Sequence, residues 1–408
     1  MANNYNPVDV YAIVNAAAKE LYGGDTDLQA RDLTTFATVG EAMLRTGYEK
    51  TLNALTVVMG RTYMAIRPYR HKWDLITIND DLFGTISRKI SFFTKLFEPS
   101  KAWNTTDAPE QLKDGATVDH YGINKVYPLE MMFCGQKILT KHFTRWEDQL
   151  KVAFHSPEEL GAFLSGMMVE IQNEIELGIE AENAMLVQNH IGAIYETGTA
   201  KQKVNLTKAY NDRYGTAYTS DQLRSEHFRS FLEFTVSTIK QAVDNLTANT
   251  DLYHLTPTKT DDAGNPMTLL RHTPRDLQKL FLYKPLLYDA ESMVMPEIFN
   301  DNYLKIDNYE GVMYWQNPNV PASVNVKPNI LDVATGQSKD GTQQEIKYVV
   351  GLLFDRDALF TNYQLNKVLT TPVNAAGDYY NTYHHWSKSH NDDPTENSIL
   401  FYMEDAEA

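Results

Sequence analysis

"SPEELGAFLSGMMVEIQNEIELGIEAENAMLVQNH", Ser156 to His190, is the stretch on which the fold turns. Ser156 and Glu159 form a capping box, and Pro157 stands at the first helical position, where no N–H is needed. Leu160, Leu164, Met167, Met168, Ile171, Ile175, Ile179 and Leu186 then follow mostly at spacings of three or four, the repeat of one helix face. Glu170, Glu174, Glu176, Glu180 and Glu182 occupy the remaining surface. The pattern predicts one helix to about His190, about 50 Å long at 1.5 Å per residue. So long a helix with a single apolar stripe is a structural strut.

Upstream, residues 8–22 read as a short amphipathic helix with Val10, Ile13, Val14, Ala17 and Leu21 on one stripe, and 40–64 as a second. Between these and the strut the character changes. "GTISRKISFFTKLF" and "GQKILTKHFTRWEDQLKVAF" are β-prone and rich in aromatic and basic residues, and a polar stretch, "EPSKAWNTTDAPEQLKDGATVDHYGINK", separates them. Two β-prone legs around a polar excursion predict an extended arm, since loops this long inside compact domains usually contact something.

Downstream, glycine and polar residues over 192–223 predict a loop region. "SEHFRSFLEFTVSTIKQAVDNLTAN" has a helix stripe of Phe228, Leu232, Val236, Ile239 and Val243. "HTPRDLQKLFLYKPLLYDAESMVMPEIFN" reads as short strand and helix units, "EGVMYWQNP" as a strand ending in a turn, and "YVVGLLF" and "SILFYM" as buried strands. The class is α+β with mostly antiparallel strands, and no internal repeat or heptad seam is visible.

A hydrophobic fraction of 43% and a charged fraction of 22% belong to a folded chain. The formal charge of −16 disfavours a protein that grips nucleic acid, which needs a positive footprint. Cys134 is the only cysteine, so no intrachain disulfide forms and a reducing compartment is the simplest reading. The first residues lack a signal peptide's basic flank and apolar run, and no run of apolar residues is long enough to cross a membrane. The sequons at Asn104, Asn205 and Asn245 carry no weight in that context.

The closing stretch, "TTPVNAAGDYYNTYHHWSKSHNDDPTENSILFYM", is the densest in residues capable of chemistry. His384 and His385 are neighbours, so on a strand they face opposite ways and one metal ion cannot take both. His390, Asp392 and Asp393 could join one of them, but the ligand spacing of a metal site is missing. Glu170 and Glu174 share a helix face without the E-x-x-H partner of a di-iron bundle, which makes them a solvated acidic face. Cys134 lies among apolar residues as an inert thiol, and Asp261 with Asp262 forms a plain turn. Nucleophile-elbow, zincin, P-loop and dinucleotide motifs do not occur. Arg61, Arg67, Arg70, His71 and Lys72 are the local basic cluster, expected to pair with acidic surfaces of neighbouring subunits. The 24 tyrosines suit subunit interfaces or half-buried strands. No catalytic, cofactor-binding or metal residue is assigned.

Several words occur in a recognisable order. "RTGYEKTLNALTVVMGRTYMAIRPY", "RWEDQLKVAFHSPEELGAFL", "RHTPRDLQKLFLYKPLLYDAESMVMPEIFNDNYLKI", "YWQNP", "SVNVKPNILD" and the closing T-P-x-N, G-x-Y-x-N and T-E-N words resemble the major capsid proteins of tailed bacteriophages, with the Hong Kong 97-like capsid fold. The resemblance spans nearly the whole chain.

It implies an N-terminal arm and lead-in at 1–83, an extended loop at 84–145 lying across a neighbouring subunit, and a peripheral domain at 146–215 with its spine helix at 156–192. An axial domain at 216–345 and a return to the peripheral domain at 346–408 complete the chain. The implied function is structural: self-assembly, as hexamers and pentamers, into the icosahedral or prolate head shell of a tailed double-stranded DNA phage. Portal and scaffolding proteins are the implied partners, with decoration or head-fibre proteins and loose, non-specific proximity to packaged DNA. Membrane contact is not implied; the location is the virion, after assembly in the bacterial cytoplasm. No charged helical prodomain precedes the arm, so a fused, cleaved scaffold is not expected. The alternatives are a nanocompartment shell of the same fold, a tail or other virion protein, and a metal-dependent hydrolase using His384, His390, Asp392 and Asp393.

Overall fold

The computed structural model describes residues 15, 18, 19, 39, 67–78, 86–93, 121, 125–134, 137–145, 157–261, 264, 266–293, 309–377 and 379–405. Of the helix expected at 8–22, Asn15, Ala18 and Lys19 are described and helical. The helix at 40–64, the polar excursion apart from Tyr121 and Lys125, Ser156 and Arg61 lie outside the described residues. Helix α1 spans Pro157–Thr197, 41 residues, or about 60 Å. Its buried line passes through Ile171, Asn183, Leu186, Val187, His190, Ile191 and Ile194, at helical spacing. The expected end near His190 is about two turns short of the observed one at Thr197: Gly192 stays helical because it lies against Val326 and Pro328, and packing outweighs its propensity cost of about 1 kcal/mol.

The strands, in chain order, are β1 Thr77–Ile78, β2 Ile86–Phe92, β3 Pro128–Cys134, β4 Lys137–Arg145 and β5 Lys203–Asn205. They continue with β6 Gln278–Tyr283, β7 Tyr309–Val312, β8 Val324–Val326, β9 Asn329–Asp332 and β10 Gln337–Asp340. The last are β11 Gln344–Ile346, β12 Tyr348–Asp355, β13 Leu359–Thr370, β14 Tyr380–Asp392 and β15 Ser398–Met403. The shorter helices are α2 Leu206–Tyr214, α3 Ser220–Arg224, α4 Phe228–Leu246 and α5 Lys284–Met293. Helices and mostly antiparallel strands make the chain α+β, as expected.

The chain falls into two units. The larger comprises His71–Phe143, Leu177–Thr370 and Thr382–Ala408. Its centre is a five-stranded sheet of order β5-β15-β12-β6-β7. The runs expected as buried strands, "YVVGLLF" and "SILFYM", are the adjacent antiparallel strands β12 and β15, with Leu352 opposite Leu400. Phe281, Phe354 and Phe401 are fully buried there, each removal from water contributing roughly 2–3 kcal/mol. All five residues of the stripe expected on α4 are buried. A second sheet, of order β1-β13-β14-β4, holds most of the closing stretch in the β13/β14 hairpin.

In the smaller unit, Met1–Arg70, Thr144–Glu176 and Thr371–Asn381, Asn173 of α1 accepts the Tyr69 N–H at 2.6 Å and donates to the Arg67 carbonyl at 2.9 Å. The T-P-x-N and G-x-Y-x-N words meet there: Asn374 N–H donates to the Tyr379 carbonyl at 2.8 Å.

Three expectations are corrected. The region 192–223 is not a loop but the end of α1, then β5, α2 and α3. Asn205 caps α2 by accepting the Thr207 and Lys208 N–H groups, Gly215 ends it in the left-handed region at φ 65°, and Thr219 with Gln222 makes a capping box on α3. Polar and glycine residues there are caps of short helices, whose periodicity is too brief to read. Second, the strand returning against β2 is β3, not Lys137–Arg145, which instead joins β14 as β4. Third, Lys72 of the basic cluster meets Glu180 of its own chain at 3.6 Å, and His71 meets Asp74 at 3.6 Å. The turn expected at Asp261 is present, its carbonyl accepting the Gly264 N–H at 3.0 Å.

Candidate functional site

His384 and His390 are six residues apart on β14, which separates them by about 20 Å. His385 faces β4, its Nδ1 3.1 Å from the Thr140 hydroxyl, and Tyr383 stacks between His142 and His385. Asp392 and Asp393 part company at the strand's end. Asp392 Oδ1 lies 2.7 Å from His190 Nδ1 and its Oδ2 accepts from Asn189 at 2.6 Å, whereas Asp393 turns to Lys89 and Thr395. The structure does not bring the four hydrolase candidates together. Among the described residues, no group of three or more His, Cys, Asp or Glu is placed to hold a metal ion.

His190 Nε2 lies 2.9 Å from the Ser398 hydroxyl, so Ser398, His190 and Asp392 have the connectivity of a hydrolytic triad. Other features oppose catalysis. Ser398 is buried, and its N–H, which could serve an oxyanion hole, donates to the Tyr253 carbonyl at 2.9 Å. The triad is a structural pin joining α1, β14 and β15. Asn183, also buried, donates to Thr77 Oγ1 at 2.9 Å and accepts from Thr361 at 2.8 Å, joining α1 to β1 and β13. Neither His190 nor Asn183 stands out in the sequence. The available signal was a polar residue on an apolar helix line, which must be hydrogen-bonded when buried.

The T-E-N word continues the polar frame. His254 lies 3.1 Å from Asn397 Oδ1 and 2.9 Å from the Leu269 carbonyl, and Asn397 donates to Thr273, which donates to Asp355. Burial holds His254 below the usual imidazole range and pushes the Asp355 carboxyl up.

The β2/β3 ribbon is the feature best placed to meet another molecule. Its strands pair antiparallel over Ile86–Phe92 and Cys134–Pro128, with Lys89 opposite Met131 and Ile90 opposite Glu130. A strand points successive side chains to opposite faces, so Arg88, Ile90, Phe92, Glu130 and Met132 share the outer face. Ile90, Phe92 and Met132 are 51%, 59% and 57% exposed, and Arg88 pairs with Glu130 across the same face at 2.5 Å.

The inner face rests on the same chain. Lys89 forms ion pairs with Asp393 and Glu396, and Arg271 reaches Glu396 at 3.5 Å, the Thr395 carbonyl at 3.2 Å and the Ser91 hydroxyl at 2.7 Å. The Thr395 hydroxyl lies 3.4 Å from Met131 Sδ. The Lys259 ammonium lies 5.6 and 5.9 Å from the rings of Phe93 and Tyr127. Burial raises the Glu396 carboxyl against the opposing effect of Lys89 and Arg271. Beside the ribbon, a cavity of about 530 Å³ is lined by Met132, Met185, Ile194, Leu331, His390 and Asp392, among others.

Comparison with known proteins gives this geometry a context. The family model for the Phi29-like phage major capsid protein matches residues 14–402. No curated protein matches the chain. A chain in the capsid structure of Staphylococcus phage Andhra superposes with a TM-score of 0.54 at 11% identity, over 84% of this chain and 87% of that one. A chain in the structure of head fiber and inner core protein gp22 of native bacteriophage P68 gives the same TM-score, identity and coverage. The shared architecture is the Hong Kong 97-like capsid fold. The match over nearly its full length shows that the chain belongs to the Phi29-like phage major capsid proteins, as a structural, non-enzymatic subunit that assembles with copies of itself into the shell of a tailed phage.

Proposed function

We propose that the β2/β3 ribbon is the arm by which each copy overlaps the next, and that overlap of this kind holds hexamers and pentamers together in an icosahedral or prolate head. The observation that carries the reading is the alternation along the ribbon: polar anchors inward, and Ile90, Phe92 and Met132 on an outer face left exposed among the described residues. Many modest, repeated contacts sum to a stable closed lattice. The boundaries 1–83, 84–145, 146–215, 216–345 and 346–408 remain the proposed arm, extended loop, peripheral domain, axial domain and peripheral return. Portal and scaffolding proteins, with decoration or head-fibre proteins, are the proposed further partners, and the host cytoplasm the proposed place of assembly.

The formal charge of −16 suits a wall that stands beside packaged double-stranded DNA without holding it. Two measurements test these proposals. Ile90→Asp with Met132→Asp should leave a folded subunit that no longer forms shells under conditions where the unaltered chain does; normal shells would refute the ribbon's role. Tight DNA binding by the free subunit at low salt would refute the repelling wall.

A further inference from the structure

We infer that Lys89 and Arg271 are positioning residues for assembly: by latching the ribbon's inner face to the Asp393–Glu396 turn, they decide which face of the ribbon each subunit offers to the next. The inference rests on the proposed role of the ribbon in overlap.

The physical need for such a device follows from strand geometry. Side chains alternate with a period of two, so slipping the ribbon by one residue, or rolling it over, would bury Ile90 and Phe92 and expose Lys89 and Ser91. Among the described residues the ribbon has two strands, with no third to fix its register or roll. Apolar contact alone is a poor discriminator, because hydrophobic residues lie on both faces: Ile90, Phe92 and Met132 outside, Phe93, Leu129 and Met131 inside.

The polar contacts do discriminate. Asp393 is fully buried and accepts from the Thr395 N–H at 2.9 Å and hydroxyl at 2.7 Å, so its carboxylate is held rigidly before Lys89 meets it. A buried carboxylate is tolerated only with a partner, and losing the partner is far costlier than losing an exposed ion pair. Lys89 can supply that charge only from the inner row. Arg271 adds a second fixed point two residues along, on Ser91, and binds Glu396 and the Thr395 carbonyl, so ribbon and turn share one cation. The stacked Lys259 gives a third point at Phe93 and Tyr127. Spaced at 89, 91 and 93, the three points fix both register and roll. All lie within one chain, so the ribbon is oriented before any neighbour arrives.

The test combines amide hydrogen exchange on the unassembled full-length subunit with shell yield. Variants are Lys89→Met, Lys89→Arg, Arg271→Gln and the outer-face pair Ile90→Asp/Met132→Asp, each checked by circular dichroism. In Lys89→Met and Arg271→Gln, exchange over 86–93 and 128–134 is expected to rise by at least about tenfold, as local opening becomes easier, with protection of β12 and β15 unchanged and shell yield reduced. Lys89→Arg, which keeps the charge, should restore both. Unchanged ribbon exchange in Lys89→Met and Arg271→Gln overturns the latch. Faster exchange with full shell yield overturns its role in assembly. The outer-face pair reads the underlying proposal separately: it should abolish shells without altering ribbon exchange, and intact shells there would show that the ribbon's outer face, not the latch, had been misread.

Discussion

A single methyl group placed on α1 should separate packing from helix propensity. A Cβ built at Gly192 would sit 2.5 Å from Val326 Cγ1 and 3.2 and 3.4 Å from Pro328 Cβ and Cγ. Carbon atoms pack comfortably at about 3.5–4.0 Å, so the closest contact is short by roughly 1 Å. Val326 can turn, but the Pro328 ring cannot move away without its backbone. Such overpacking costs typically about 1–3 kcal/mol, against a gain of about 1 kcal/mol from replacing a helical glycine. Gly192→Ala should therefore lose up to about 2 kcal/mol. Gly178 on the same helix supplies the control, because nothing lies within 4 Å of its added Cβ. Gly178→Ala should gain about 0.5–1 kcal/mol. Urea unfolding of the unassembled subunit, followed by tryptophan fluorescence, would give both values. If Gly192→Ala gained stability as Gly178→Ala does, the tight approach of Val326 and Pro328 to α1 would be refuted.

Further expectations concern the polar frame. His254 is held below its ordinary value by burial, so its contribution is present above pH 6.5 and is lost as pH falls, once the unfolded ring takes a proton that the folded ring resists. Asp355 and Glu396 are raised by burial and act in the opposite sense: their contribution is full below their unfolded values of 3.8 and 4.5 and declines as pH rises through the folded ones. His254→Asn should flatten the decline in stability below pH 6.5, and a pH–stability profile parallel to the unaltered chain's would contradict the assignment. Glu310 braces the turn at Trp73, whose φ of 67° is left-handed, by accepting the Trp73 and Leu75 N–H groups at 2.8 and 3.1 Å. Glu310→Ala should cost about 1–3 kcal/mol in the same unfolding assay, and no loss would show the brace to be idle. A fluorophosphonate probe for activated serines should leave Ser398 unlabelled in the folded chain; mass-spectrometric detection of the adduct there would reopen the catalytic reading.

What could be read in advance was whatever repeats locally. Phe228, Leu232, Val236, Ile239 and Val243 announce their helix because burial recurs every three or four residues. "YVVGLLF" and "SILFYM" announce strands because a continuous apolar run bounded by polar residues suits a sheet covered on both faces. The capsid words likewise survive as ordered local patterns. Short elements over 192–223 escaped because a five- or nine-residue helix completes too few turns to show a period. The pin at His190 and the hub at Asn397 escaped because their partners lie 202 and 143 residues away.

The amino-acid order alone determined the class, the strut helix, the central strands and the family likeness, since each rests on interactions between near neighbours along the chain. Only the tertiary structure decided which strand returns against β2, that Asp392 and Asp393 face different partners, and which side of the ribbon lies inward. Those choices depend on pairing and charge burial between distant segments, where several partners are compatible with any one local pattern and only the folded chain selects among them.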